Sequence, residues 1–274
     1  MRFCGQCGSP RVAVTGLPDI ADVSVSPSPP SKSEIDVTEV LRSFVTAQVA
    51  DRIAEAGPQL TEERRLVTAI FADISGFTPL AARLDPEELM DVIDPVVSML
   101  SSIVGRYDGF VEKFAGDALL ALFGAPVAHE DDANRALRVA LEMHRELARL
   151  RCELPNAEDL TLHVGVNSGR GIARIIGSKI RTDYGVLGDA VILAQRLESV
   201  TPSGQTYVSE STYGLTRNAF EFEFVGELTL KGKSAAVPGW RLVGEKSART
   251  AARERERFIT AGDPSPAPPA AVAA

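Results

Sequence analysis

The strongest constraint on the fold is a pair of short apolar runs, Gly109 to Phe114 and Ala118 to Phe123, divided only by Ala115-Gly116-Asp117. Runs this short with a glycine-aspartate step between them read as a β-hairpin with a tight turn. A hairpin needs a sheet to join, and the flanking sequence supplies one. Upstream, Leu66 to Phe71 is an apolar strand followed by a turn around Gly76; downstream, Leu160 to Asn167 alternates as another strand. Helical periodicity fills both gaps. Asp85 and Pro86 open the first helix as N-cap and first-turn proline, and Glu87 and Glu88 suit its positive end. Leu89, Ile93, Val97 and Leu100 form its apolar face, and Pro95 is placed to kink it. Asp131 and Asp132 begin the second helix, with Leu137, Ala140, Leu141, Leu147 and Leu150 as its buried stripe. The order β-α-β-β-α-β predicts an α+β class: a ferredoxin-like βαββαβ core whose helices cover one face of an antiparallel sheet. A further helix from Asp189 to Ser199 and strands near Gln205 to Val208, Phe220 to Val225 and Trp240 to Val243 make a C-terminal extension.

The remaining chain divides by composition. Cys4-Gly-Gln-Cys7-Gly is one knuckle of a zinc ribbon without a second, and a structural zinc wants four ligands, so residues 1–33 read as a half-knuckle remnant and a Pro/Ser-rich linker. Residues 34–63 hold an amphipathic helix, with Val40, Leu41, Phe44, Val45, Val49 and Ile53 at helical spacing, and a linker. Packing on its own domain and pairing along a dimer seam both satisfy that pattern. Residues 64–243 are the main domain, and 244–274 a charged, then Pro/Ala-rich, tail. A formal net charge of -8 opposes general attraction to nucleic acid or anionic lipid, so any phosphate site must be local. No apolar stretch approaches the roughly 20 residues that span a bilayer. With no membrane segment, no secretory signal after Met1 and no disulfide framework among the three cysteines, the expected location is the cytoplasm.

Two acidic residues stand where chemistry is expected. Asp73 ends the first strand and Asp117 sits in the hairpin turn. On neighbouring strands they would converge into a hard-oxygen site suited to magnesium; as isolated turn aspartates they would do nothing of the kind. The segment Ile74-Ser-Gly-Phe-Thr78 adds a glycine turn leading into a helix, where the backbone amides of Gly76, Phe77 and Thr78 can hold phosphate. His129, His144 and His163 are too scattered to suggest a metal cluster and read as structural.

Three motifs, Phe71-Ala-Asp-Ile-Ser-Gly-Phe-Thr78, Glu112-Lys-Phe-Ala-Gly-Asp-Ala118 and Gly188-Asp-Ala-Val191, resemble the class III adenylate and guanylate cyclase family in order and spacing. The resemblance implies two Mg2+ (or Mn2+) ions held by Asp73 and Asp117, with the Ile74 carbonyl as a further oxygen ligand. One ion would activate the ribose 3′-hydroxyl for in-line attack on the α-phosphorus, and the other would steady the triphosphate. It further implies that Lys113 reads the base. Lysine only donates, which suits the acceptor N1 of adenine; a solvated strand lysine is the other reading. By the same resemblance Arg170 and Lys231 contact the triphosphate, and Arg196 stabilises the pentavalent transition state. The site lies between two domains in that family, so a single chain is expected to form a homodimer, with ATP as substrate and neither nucleic acid nor membrane as partner.

Two positions depart from the family pattern. An asparagine that orients the ribose is replaced by Ile192, four residues before Arg196, and a second base-reading side chain by Gly185. The expected function is therefore an adenylate cyclase of reduced activity, the alternative being a nucleotide-binding or dimerisation module that no longer turns over. A diguanylate cyclase is disfavoured, because the chain has no Gly-Gly-Asp/Glu-Glu-Phe run.

Overall fold

The computed structural model describes residues 63–177, 182–233 and 235–247. The expected half-knuckle, both linkers, the helix expected at 34–56 and most of the tail lie outside these residues. The described elements are β1 (Glu63–Ser75), α1 (Phe77–Ala81), α2 (Pro86–Arg106), β2 (Phe110–Ala115), β3 (Ala118–Phe123), α3 (Asp132–Leu150), β4 (Thr161–Gly177), β5 (Thr182–Leu187), α4 (Asp189–Glu198), β6 (Thr206–Ser209), α5 (Glu210–Thr216), β7 (Phe220–Leu228) and β8 (Val237–Glu245). The strands form one sheet in the order β2-β3-β1-β4-β6-β8-β7, with β5 branching from β4. The first four strands, ordered β2-β3-β1-β4 with antiparallel neighbours, are the predicted βαββαβ core.

β1 reads as a continuous apolar run because both of its faces are covered. Ile70, Ala72 and Ile74 enter the larger core, which α2 and α3 close with Val96, Leu100, Ile103, Leu137, Ala140 and Met143. Val67, Ala69 and Phe71 face the opposite side, in a smaller core with Leu120, Leu122, Val186, Ala190 and Ala194. Helices therefore cover both faces, not one: α4 packs across β4 and β1 on the second face. Its seat is built from small residues. A Cβ at Gly165 would lie 2.2 Å from the Ala194 carbonyl oxygen and 2.2 Å from the Glu198 nitrogen; one at Gly169 would lie 3.3 Å from the Ala190 Cβ. The two glycines share a face of β4, and α4 meets them with residues at i, i+4 and i+8, so the helix backbone rests directly on the strand. The glycines of Asn167-Ser-Gly-Arg-Gly171 thus lie inside a long strand.

The N-cap of α2 is Asp85 with Pro86 in the first turn, as predicted; Glu88 accepts from the Asp85 N–H at 3.4 Å, and the helix runs on past Pro95 to Arg106. Its fully buried stripe is Val92, Ile93, Val96, Leu100, Ile103 and Val104, while Leu89 and Val97 sit at the margin. β5 and α5 are elements the sequence pattern did not reveal. The α5 helix is opened by Ser209, whose hydroxyl accepts from the Thr212 N–H at 3.3 Å.

His144, on α3, hydrogen-bonds the Thr206 hydroxyl at 2.9 Å across to β6 and is a structural histidine, as expected. Burial pushes its imidazole down to about 4, against a bond to the Gln205 backbone that works the other way. Because the unfolded chain then takes up a proton before the folded one does, stability is retained above pH 6.5 and falls as pH drops toward 4, by about 1.4 kcal/mol per unit from this group. Urea denaturation across that range should show a shallower acid loss for His144→Gln than for the wild type.

Candidate active site

The two aspartates stand at neighbouring positions at one end of the sheet. Antiparallel register pairs Asp73 with Ala118, so Asp117 in the hairpin turn is the immediate neighbour of the residue opposite Asp73. Asp73 follows Val67, Ala69 and Phe71 on the α4 side of β1. Gly116, at φ 69°, makes the turn that leaves Asp117 at the strand end. Burial and the nearby Asp117 charge push the Asp73 carboxyl up, against His163 and the Ile74 N–H that donates to its Oδ1 at 3.0 Å. Neither aspartate forms an ion pair with a lysine or arginine among the described residues. Two carboxylates whose negative charges are incompletely offset fit a hard divalent cation by donor chemistry and by charge. The Ile74 side chain lies buried in the larger core, so only its backbone is available to the site.

A third group was missed by sequence reasoning. His163 is the Cα partner of Asp73 on β4. Its Nε2 lies 2.7 Å from Glu198 Oε1 and 3.3 Å from Asp73 Oδ2, and its Nδ1 lies 2.7 Å from the Ser75 hydroxyl. The bond to Glu198 pushes the imidazole up, with the Asp73 and Asp117 charges adding to it. The ligand atoms of Asp73, His163 and Glu198 lie within 4.8 Å of one another, a spacing that could hold one ion. Glu198 closes α4, which ties this helix to the aspartate end of the sheet.

The base-reading candidate is aimed by a β-bulge. Register between β2 and β3 slips between Val111 and Lys113, making Glu112 the extra residue. Without the bulge, alternation would send Lys113 to the α2–α3 side. With it, Lys113 pairs with Leu120 and shares the α4 side with Phe110 and Leu122.

The remaining predicted residues fall in three places. Gly76 adopts a left-handed φ of 92° and precedes α1, a helix of little more than one turn. The Phe77 side chain packs on the larger core, and Thr78 is exposed. Arg170 is exposed on β4 opposite Leu66. The turn after β7 brings Gly232, the residue next to Lys231, against Arg196. A Cβ at Gly232 would lie 3.1 Å from Arg196 Nη2, and Lys233 clamps the first residue of α4 by donating to both Asp189 carboxylate oxygens at 2.8 Å. Ile192 is 44% exposed on the same helix, and Gly185 lies on β5 opposite Arg174.

Residues 60–244 match the family model for the adenylate and guanylate cyclase catalytic domain. The chain belongs to the class III adenylate and guanylate cyclase family. It is 30% identical over 219 residues to an adenylate cyclase of Mycobacterium tuberculosis, an alignment covering 79% of this chain and 48% of the relative, so the chain spans about half of that protein's length. Among solved structures it is similar to the adenylyl cyclase CyaB of P. aeruginosa, with a TM-score of 0.65 and 31% identity over 69% of this chain and 98% of that one. The guanylyl cyclase Cya2 is equally similar, with a TM-score of 0.65 and 31% identity over 68% and 96%. The fold is thus that of a nucleotidyl cyclase catalytic domain, and relatives of both nucleotide specificities lie at the same distance. No helix among the described residues is long and apolar enough to cross a membrane.

Proposed function

We propose that the chain converts ATP to cyclic AMP and pyrophosphate at sites shared between two copies of itself. The supporting observation is the convergence of Asp73 and Asp117 on adjacent strands with their charge incompletely offset. These carboxylates and the Ile74 carbonyl would hold two Mg2+ (or Mn2+) ions, which supply charge neutralisation of the triphosphate and a more acidic 3′-hydroxyl. The protein's own part is positioning. Lys113 donates to adenine N1, a proton acceptor that guanine lacks at that atom. Arg170 and Lys231 offset triphosphate charge, the Gly76-Phe77-Thr78 amides hold phosphate oxygens, and Arg196 carries the charge that develops at phosphorus. Every one of these positions lies on a single chain, so two identical chains suffice for two equivalent sites.

The test is incubation of purified protein with ATP or GTP and Mg2+ or Mn2+, assaying both cyclic products, with sedimentation to establish the dimer. Cyclic AMP is expected; cyclic GMP alone would overturn the role given to Lys113. Ile192 offers no hydrogen bond to a ribose. Ile192→Asn, at an exposed helix position, should raise turnover roughly tenfold, the value of one added hydrogen bond. Absence of product from both forms would favour a nucleotide-binding module without turnover.

A further inference from the structure

We propose that Glu112 reads the exocyclic 6-amino group of adenine, a second base contact beside Lys113; this rests on the ATP reading above. The bulge that aims Lys113 leaves Glu112 as the unpaired residue, and its carboxylate crosses to β5, where Oε2 accepts from the Val186 N–H at 3.2 Å. Gly185, the preceding residue of β5, has no side chain to offer there. Glu112 Oε1 accepts no hydrogen bond among the described residues and lies 3.9 Å from Lys113 Nζ. The Glu112 side chain is 14% exposed and that of Lys113 57%.

A mostly buried carboxylate with an open oxygen is expensive to keep unless a donor arrives. Burial pushes the Glu112 carboxyl up against the opposing pull of Val186 and Lys113, which marks the same shortage of compensation. The Watson–Crick edge of adenine carries an acceptor, N1, next to a donor, the 6-amino group. Lysine only donates and an ionised carboxylate only accepts, so the adjacent Lys113 and Glu112 present the complementary pair. Guanine reverses that order along its edge, so both contacts discriminate against it.

The experiment compares equilibrium binding of α,β-methylene-ATP with the corresponding purine riboside analogue, which lacks only the 6-amino group, and with α,β-methylene-GTP. The wild type should bind the adenine analogue roughly tenfold more tightly than the amine-free one, as for a hydrogen bond to a charged group. In Glu112→Gln the amide oxygen can still accept from Val186, but the amide nitrogen cannot accept from adenine, and the ratio should fall to near one. Should that variant lose its native melting transition, Glu112→Asp, which withdraws the carboxylate by one methylene, is read against the same ratio. An unchanged ratio in a folded variant overturns the role of Glu112 and leaves the ATP reading standing. A wild type that prefers the guanine analogue overturns both.

Discussion

Asp73→Asn is expected to abolish cyclic product, lowering turnover on the order of a thousandfold or more, while the melting temperature holds or rises. The loss in rate follows from removing one of two anions that hold the cations, a contribution of several kcal/mol to the transition state. The gain in stability follows from the same charges. Burial and repulsion from Asp117 and Glu198 disfavour the Asp73 carboxylate in the folded protein, and asparagine removes that opposition. The amide keeps an oxygen for the Ile74 N–H, which lies at 3.0 Å, and His163 keeps Glu198 at 2.7 Å. A residue that served only the fold would show the opposite split, losing stability with activity. Cyclic nucleotide assays paired with calorimetry separate the two.

Gly165→Ala is expected to damage both fold and function from a position that bears no reactive group. The added Cβ would meet the Ala194 carbonyl oxygen and the Glu198 nitrogen, each at 2.2 Å, and the Glu198 Cα at 2.8 Å. These are backbone atoms of α4, so no rotamer change relieves the contact and the helix must lift from β4. Overpacking of this kind costs about 3 kcal/mol, equivalent to a fall in melting temperature on the order of 10 °C for a domain of this size. Arg196 lies on the same helix, so the folded fraction should also lose roughly 100- to 1,000-fold in turnover, the effect of misplacing one preorganised donor. Gly214→Ala is the control, since nothing lies within 4 Å of its added Cβ. It should leave both quantities near wild type.

The outline of the core was legible because each step rests on local chemistry. The Gly116-Asp117 turn, the Asp85-Pro86 helix start and the apolar periods of α2 and α3 are readable within a few residues of sequence. The aspartate pair was legible for the same reason, both residues standing at strand ends. What was hidden depends on register and on packing between distant segments. His163 joins Asp73 and Glu198 only once β4 is aligned on β1 and α4 lies across both. Gly169 and Gly171 lie beyond the Leu160 to Asn167 stretch that alternation marks as strand, whereas β4 continues through them, with Ala190 of α4 and Val186 of β5 packed against them. The bulge at Glu112 leaves no compositional trace, yet it decides which face Lys113 occupies.

The most direct test of the account is Mn2+ binding followed by electron paramagnetic resonance in the presence of α,β-methylene-ATP, for the wild type and for the Asp73→Asn/Asp117→Asn double variant. Saturable uptake by the wild type that the double variant loses is the predicted result. Equal uptake by both would contradict the assignment of the cations to these two carboxylates, and with it the proposed chemistry.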